Sequence, residues 1–402
     1  MRDIAICGCG PAGLSAALFL HRAGHRVTLF ERFSEPKPLG SGLMLQMTGL
    51  HVLERLGLRE AIHARGHRVD RFVGRVVPSG RLVLDVRYNV LRGDQYALAV
   101  HRGALFEVLF NEVRRAGIAL EANFELQTID MISGGRGALV DSKGRRVGSF
   151  DLVVDALGSR SPTLPQFYRL RTESLDYGAL WATLPMPPAR FQPNTLEQRY
   201  QRASVMIGVL PVGRHGGVSE DQVTFFWSLR GRDFEAWRQA GLDAWKDRVR
   251  SLWPETDVLL NGISSAEQLV FARYSHHTLR QPYFGNVATI GDAAHSTSPQ
   301  LGQGANMAML DAAALADALT EHADMSHALA GYAKKRRLHI RLYQALSAAF
   351  TPFYQSNSRA LPFVRDILVA PTMRMPFVSR LLASMVVGSW GLRMDRNGAP
   401  RV

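Results

Sequence analysis

Cysteine is nearly absent from this chain of 402 residues: only Cys7 and Cys9 occur. One residue apart, they cannot bridge each other without strain, so a disulfide framework is excluded and a reducing, cytoplasmic setting is expected. No apolar run approaches the roughly 20 residues that a spanning helix needs. The N-terminus runs directly into a strand pattern with no n-region or cleavage site, so no leader is expected. There is no biased tract, and apolar residues at 46% with charged residues at 21% exclude disorder and fibrous repeats. At this length two joined domains are expected, because single cores stop growing near about 250–300 residues. No metal site is expected.

Acids are scarce in one region. From Gly331 to Val402 twelve Lys and Arg face only Asp366 and Asp395, a net of +10 out of +13 for the whole chain. The body is therefore nearly neutral and the tail basic. The basic residues are not interleaved with stacking aromatics, which argues against nucleic acid. An Arg-rich solvated surface, an acidic substrate or a membrane surface remains.

The first thirty residues carry the first strong signal. Ile4 to Cys7 reads as a buried strand, Ala12 to Ala23 as a helix, and Arg26 to Glu31 as a second strand ending in an acid. The turn between them, Gly8-Cys9-Gly10-Pro11-Ala12-Gly13, is a GxGxxG fingerprint. Gly8 permits the tight turn, Gly10 lets backbone approach a pyrophosphate, and Gly13 packs helix on strand. Glu31 stands where a carboxylate can accept ribose hydroxyls. Cys7 and Cys9 are then small packing residues.

The C-terminal half narrows the choice of dinucleotide. Asn286 to Ile290 is a strand pattern leading into Gly291-Asp292-Ala293-Ala294-His295, then Pro299 to Asn306 and a long Ala/Leu/Met helix to about Leu319. A Gly-rich loop opening a helix presents free N–H groups and a positive dipole, suited to the negative charge of a reduced flavin.

These elements, with Glu31-Arg32 and Arg102-Gly103-Ala104-Leu105, resemble the class A FAD-dependent monooxygenases of the para-hydroxybenzoate hydroxylase fold, over residues 1 to 345. The resemblance implies an α/β (α+β) architecture. A Rossmann-type FAD-binding domain would be assembled from residues 1–70, 98–172 and 275–345. An inserted antiparallel-sheet substrate domain would comprise 71–97 and 173–274, and a helical basic tail 346–402. The implied FAD site comprises Gly8, Gly10, Pro11, Ala12, Gly13, Glu31, Arg32, Gly42, Arg102, Leu126, Gly291, Asp292, Pro299, Gly302, Gly304, Ala305 and Asn306. Glu31 would take the adenosine ribose, Arg102 the pyrophosphate, and Asp292 a ribityl or pyrophosphate-proximal hydroxyl. The Gly302–Met307 backbone and Pro299 would meet the isoalloxazine edge, with His295 orienting the loop. No catalytic base is nominated.

One departure stands out. The family's Asp-Gly pair reads Leu157-Gly158 here. Asp155 lies two residues earlier, on the same strand face but displaced by nearly 7 Å on the spacing of strand residues. Reduction by NADH or NADPH, bound transiently because no second βαβ fingerprint exists, is the expectation this puts in question.

The glycines of Gly40-Ser41-Gly42-Leu43 would permit a mobile loop near the flavin or serve as a structural turn, and a helix follows from Met47 to about Leu56. Gly134 to Gly137 reads as a hairpin tip. From Ser174 to Tyr274 the pattern is strand-rich, at Leu180–Leu184, Ala203–Leu210 and Val223–Leu229. Trp181, Met206, Phe225 and Trp227 are substrate-pocket candidates, with ordinary core as the competing reading. Arg214 and His215, in a glycine-flanked turn, read as solvated.

The resemblance implies a monooxygenase that forms a flavin C4a-hydroperoxide from O2. It would hydroxylate or epoxidise an electron-rich aromatic or hydrophobic small molecule. A halogenase is excluded, since no WxWxIP element occurs and no lysine lies between Lys37 and Lys143. Two alternatives stay open: a reductase or desaturase of an isoprenoid or polyene lipid at a membrane surface, and a FAD-binding protein without turnover. In the tail, Pro362, Pro371 and Pro376 are expected to separate short helices. Val378, Leu381, Leu382 and Met385 share a face that could meet the body, a second subunit in a homodimer, or lipid as a peripheral contact.

Overall fold

The computed structural model describes residues 1–36, 41–170, 173–373, 375–394 and 400–401. Lys37, Gly40, Arg374 and Asp395 lie outside them. The expected βαβ unit forms as strand Asp3–Cys7, helix Pro11–Arg22 and strand Arg26–Phe30. A six-stranded sheet grows from it. Leu152–Asp155 and Val287–Thr289 add in parallel on one side and Ala119–Glu121 on the other, with the short antiparallel strand Tyr283–Phe284 at the edge. The parallel strands are apolar on both faces because helices cover one side and the meander Leu126–Phe150 the other.

A second, seven-stranded sheet is built from Val270–Ala272, Tyr177–Pro185, Gln222–Arg230, Val205–Gly213, Thr195–Gln201, Arg71–Val76 and Leu82–Arg87 in spatial order. Its pairings are antiparallel except Thr195–Gln201 with Arg71–Val76. The mixed α/β architecture with a helical C-terminal region is thus the expected fold class.

The C-terminal region differs from expectation in three ways. Helix Met325–Tyr354 runs without interruption through position 345. Its buried residues Ala328, Leu329, Tyr332, Arg336, His339, Ile340, Tyr343, Gln344 and Ser347 recur every three or four positions, the stripe of a core-facing helix. Next, Pro362 and Pro371 do not separate helices. Helical turns continue over Ala360–Thr372, with a widened π turn at Arg365–Val369 just ahead of Pro371, where a proline has no N–H to give and crowds the preceding turn. Only Pro376 begins a separate helix, Pro376–Val387. Finally, the face drawn through Val378, Leu381, Leu382 and Met385 is split, with Met385 buried and Leu381 exposed.

Two of the tail's arginines are interior. Arg365 faces both of the contacting rings of Tyr200 and Tyr354, at 5.1 and 5.3 Å, and bonds Asp366 at 2.7 Å. Arg336 bonds Asp311 at 2.7 Å, both fully buried. Asp311 also accepts from Gly291 N at 2.9 Å and meets His295 Nε2 at 2.5 Å. Arg336 continues to His339 at 2.9 Å, and His339 to the Gly388 carbonyl at 2.9 Å. Burial alone would raise the Asp311 carboxyl, but His295 and Arg336 outweigh it and hold it well below the usual carboxylate range.

Asp311→Ala is expected to cost about 3–5 kcal/mol in a urea melt, since it strands the Arg336 charge in the interior. Because the folded carboxyl is depressed, Asp311's contribution should be whole above the ordinary carboxylate range. It should drain as pH falls below that range, and the variant's stability curve should lack this part of the acid dependence.

Candidate flavin site

The carboxyl ends of four parallel strands stand in register: Cys7 pairs with Phe30 and Asp155, and Asp155 with Thr289. Gly8, Glu31, Ala156 and Gly291 therefore lie along one edge of the sheet, where open α/β sheets bind ligands. The three fingerprint glycines differ in what surrounds them. Gly8 has φ +105°, and a Cβ there would sit 2.7 Å from the Ala156 carbonyl. At Gly13 a Cβ would fall 1.9 Å from the Gly8 carbonyl. At Gly10 it would meet nothing within 4 Å. Two glycines thus close the turn onto helix and strand, while the third faces open space at the helix start.

Glu31 is buried beside this turn and accepts from Cys9 N at 3.0 Å and Phe33 N at 3.3 Å. A carboxylate has about four acceptor sites, so about two remain for hydroxyls. Burial, then Glu31, pushes the Cys9 thiol far up, and burial does the same to Cys7, so both stay protonated and apolar in character. Arg32 is exposed, its guanidinium over the Phe33 ring at 4.6 Å. Pro11 and Ala12 open the helix.

Arg102 begins helix Arg102–Arg115, its N–H tied to the Ser41 carbonyl at 2.7 Å. Its side chain is exposed and has no ion-pair partner among the described residues. His101 caps the same helix through Gly103 N at 3.0 Å and stacks on His215 at 4.1 Å. Burial, then His215, pushes His101 down to about 4, so it remains the neutral acceptor a cap requires. Arg214 is exposed as expected and pairs with Asp221 at 2.9 Å, whereas His215 is half-buried with its ring stacked on His101.

Gly42 pairs with His101 in a small sheet, and a Cβ on it would reach Thr224 Oγ1 at 2.7 Å. The glycine permits close approach of the two sheets.

On the opposite side of the sheet edge, Asp292 is exposed and has no hydrogen-bond partner among the described residues. A Cβ on Gly304 would lie 3.8 Å from its Oδ1. Helix Gly304–Glu321 starts without a side-chain cap, leaving first-turn N–H groups of Gly304 and Ala305 for a ligand. Pro299 is exposed, and Gly302 turns the chain at φ +61°.

Three expected positions are otherwise engaged. The Asn306 side chain is spent internally, accepting from Gln46 N at 2.9 Å and donating to the Met44 and Gly302 carbonyls at 3.0 Å each, so only its backbone is left for a cofactor. Leu126 is buried in the cluster of Phe30, Phe124 and Phe150. Asp155 is no substitute for an acid at 157. It is fully buried, and its oxygens take Leu157 N at 3.0 Å, Ser161 Oγ at 2.7 Å and Thr163 Oγ1 at 2.5 Å.

The substrate candidates divide by strand parity. Trp181 and Met206 lie on the sheet face shared with Leu301 and Met307 of the Pro299 loop and its helix. Phe225 and Trp227 lie on the other face, packed with Trp245, so they belong to the outer core and not to a pocket. Phe226, between them, is the residue on the inner face; it pairs across strands with Trp181, rings 4.8 Å apart. Three adjacent aromatics in Phe225-Phe226-Trp227 conceal parity, because either alternation reads as apolar. Tyr274, also unforeseen, accepts from Trp181 Nε1 at 3.0 Å.

An open cradle at Gly10, the unpartnered Arg102 and Asp292, and two uncapped helix starts suit a flavin dinucleotide: cation and N–H groups for phosphates, carboxylates for hydroxyls. The FAD binding domain family matches residues 1–345. The chain is 28% identical to 6-methylpretetramide 4-monooxygenase of Streptomyces rimosus, over 96% of this chain and 88% of that one. It is 29% identical to kynurenine 3-monooxygenase of Xanthomonas axonopodis pv. citri, over 84% and 76%. Among solved structures, 2-methyl-3-hydroxypyridine-5-carboxylic acid oxygenase superposes with a TM-score of 0.77 at 23% identity, covering 96% of each chain. The cradle and these similarities have one reading: the chain belongs to the class A FAD-dependent monooxygenases.

Proposed function

We propose that this monooxygenase hydroxylates a small, electron-rich aromatic compound, taking electrons from NADH or NADPH and oxygen from O2. The observation that carries this is the inner sheet face, where Trp181, Phe226 and Met206 share an apolar cluster with Leu301 beside Pro299. Adjacent aromatic walls suit a flat ring. The relatives named for kynurenine and 6-methylpretetramide support the same substrate class.

Bound FAD would supply the reductive activation of O2 next to this face. The chain's own residues do the rest. Arg102, Glu31 and Asp292 would hold the dinucleotide at its phosphates and hydroxyls. The uncapped start of helix Gly304–Glu321 favours negative charge on the reduced ring. Burial pushes Tyr274 up to about 12, against the Trp181 hydrogen bond, so it stays a neutral phenol. With its oxygen accepting from Trp181, its proton is free to be donated to a substrate oxygen. The apolar side chains of the inner sheet face exclude water, which a short-lived oxidant requires.

Neither a lipid reductase nor a protein without turnover is favoured by the relatives, which are named as monooxygenases. A cytoplasmic location agrees with two buried free thiols and with a soluble nicotinamide reductant.

Anaerobic mixing with NADH or NADPH should bleach the flavin, and admitting O2 with a substrate should yield hydroxylated product. Absence of bleaching with either nucleotide would overturn direct reduction by NADH or NADPH. Trp181→Ala should raise KM and divert reducing equivalents to hydrogen peroxide, read by peroxide assay against product, whereas Phe225→Leu, on the outer face, should leave the coupling ratio unchanged. Arg102→Ala should weaken FAD about 10- to 100-fold in a fluorescence titration, the worth of a charge-assisted hydrogen bond.

A further inference from the structure

Large apolar side chains stand exposed at thirteen of the described positions, and six of these, Phe363, Ile367, Leu368, Met375, Phe377 and Leu381, fall within one stretch of nineteen residues. Phe363, Leu368 and Phe377 are 62, 63 and 77% exposed. Phe363 and Ile367 are four residues apart, as are Phe377 and Leu381, so each pair forms a ridge on one helical face. Both helical segments rest on Leu82–Arg87, an edge strand of the large sheet. Their inner sides are already committed, since Ala370, Ala383, Met385, Val386 and Val387 are buried in the cluster under that sheet. The outward ridges are therefore not a displaced core.

The unpaired charge around the ridges is positive. Arg359 just ahead of the first helical segment and Arg380 on the second are exposed, as are Arg81 and Arg92 in the turns beside them. Arg380 reaches the Val90 carbonyl at 3.4 Å and Arg81 the Asp366 carbonyl at 3.5 Å, which places both at the rim. The neighbouring acids are paired within the fold: Asp366 with buried Arg365, Asp85 with Arg71 and Arg87, and Asp70 and Asp94 with Arg68. A second copy docked by two-fold symmetry would set these arginines against themselves, the acids beside them being already paired. No helix among the described residues is long and apolar enough to cross a membrane.

We propose that this surface docks on an anionic lipid bilayer. The Phe363–Ile367 and Phe377–Leu381 ridges enter the headgroup–acyl boundary, and the rim arginines meet lipid phosphates. The docking is independent of which substrate the enzyme takes.

The test is co-sedimentation of the FAD-loaded full chain with phosphatidylcholine vesicles, with and without phosphatidylglycerol. Binding is expected to the phosphatidylglycerol vesicles, to weaken with salt, and to be slight on phosphatidylcholine alone. Phe377→Ser with Leu381→Ser, and separately Arg380→Glu, should each lower partitioning about tenfold or more, by loss of buried apolar area and of headgroup attraction. Flavin absorbance and the thermal transition should be unchanged in each; should the double variant unfold, Arg380→Glu carries the test. No binding to anionic vesicles at low salt, or equal binding to both compositions, overturns the proposal. So does a concentration-dependent dimer that the Phe377/Leu381 variant dissolves, which would make the patch a self-interface.

Discussion

One buried carboxylate ties together the parts of the molecule that must hold still. Asp311 accepts from Gly291 at the turn that presents Asp292, meets His295 in the same turn, and pairs with Arg336 on the next helix. Through His339 the network reaches the carbonyl of Gly388, at the end of the last long helix. Two further contacts run in parallel, from Gln303 to the Val386 carbonyl and from Tyr343 to the Met385 carbonyl, each at 2.7 Å. A charged pair in the interior is a poor source of stability in itself, but once present it cannot be broken cheaply. The loop from Pro299 to Gly304 is thereby referenced to both long helices and to the C-terminal segment. That segment is part of the framework behind this loop.

The second constraint is the large sheet, which has to serve two interiors. One face closes against helices 234–260 with Trp227, Phe225 and Trp245, and the other meets the flavin-bearing half with Phe226, Trp181 and Met206. A strand's side chains alternate, so a single residue's shift in register would exchange the two populations. Gly42 lets the flavin-bearing half come close, since a Cβ there would reach Thr224 of the large sheet.

Much of the cofactor half was legible because its determinants are local. The turn Gly8 to Gly13 needs a positive φ, an open approach and a close helix–strand contact within six residues, and each falls on a glycine. The GDAAH turn and the uncapped helix after it are equally short-range. The roles of Asn306 and Asp155 were less visible. Both are polar residues inside cofactor-like motifs, yet their partners are Gln46 and Met44 for one and Ser161 and Thr163 for the other. A polar side chain in a motif can serve the ligand or the loop that holds it, and only the positions of neighbouring donors distinguish the two.

Residue order by itself determined the βαβ unit, the flavin-type second motif, the strand-rich insertion and the concentration of positive charge after Gly331, since each depends on neighbours in the chain. Tertiary structure decided which face of Phe225-Phe226-Trp227 looks inward and that Arg336 and Arg365 are interior. It also decided that the exposed apolar ridge runs through Phe363 and Phe377 instead of Met385. These outcomes depend on contacts between segments up to several hundred residues apart, which periodicity does not encode: an apolar stripe shows that a helix has a buried side, but the partner it finds settles which flank is left in the open.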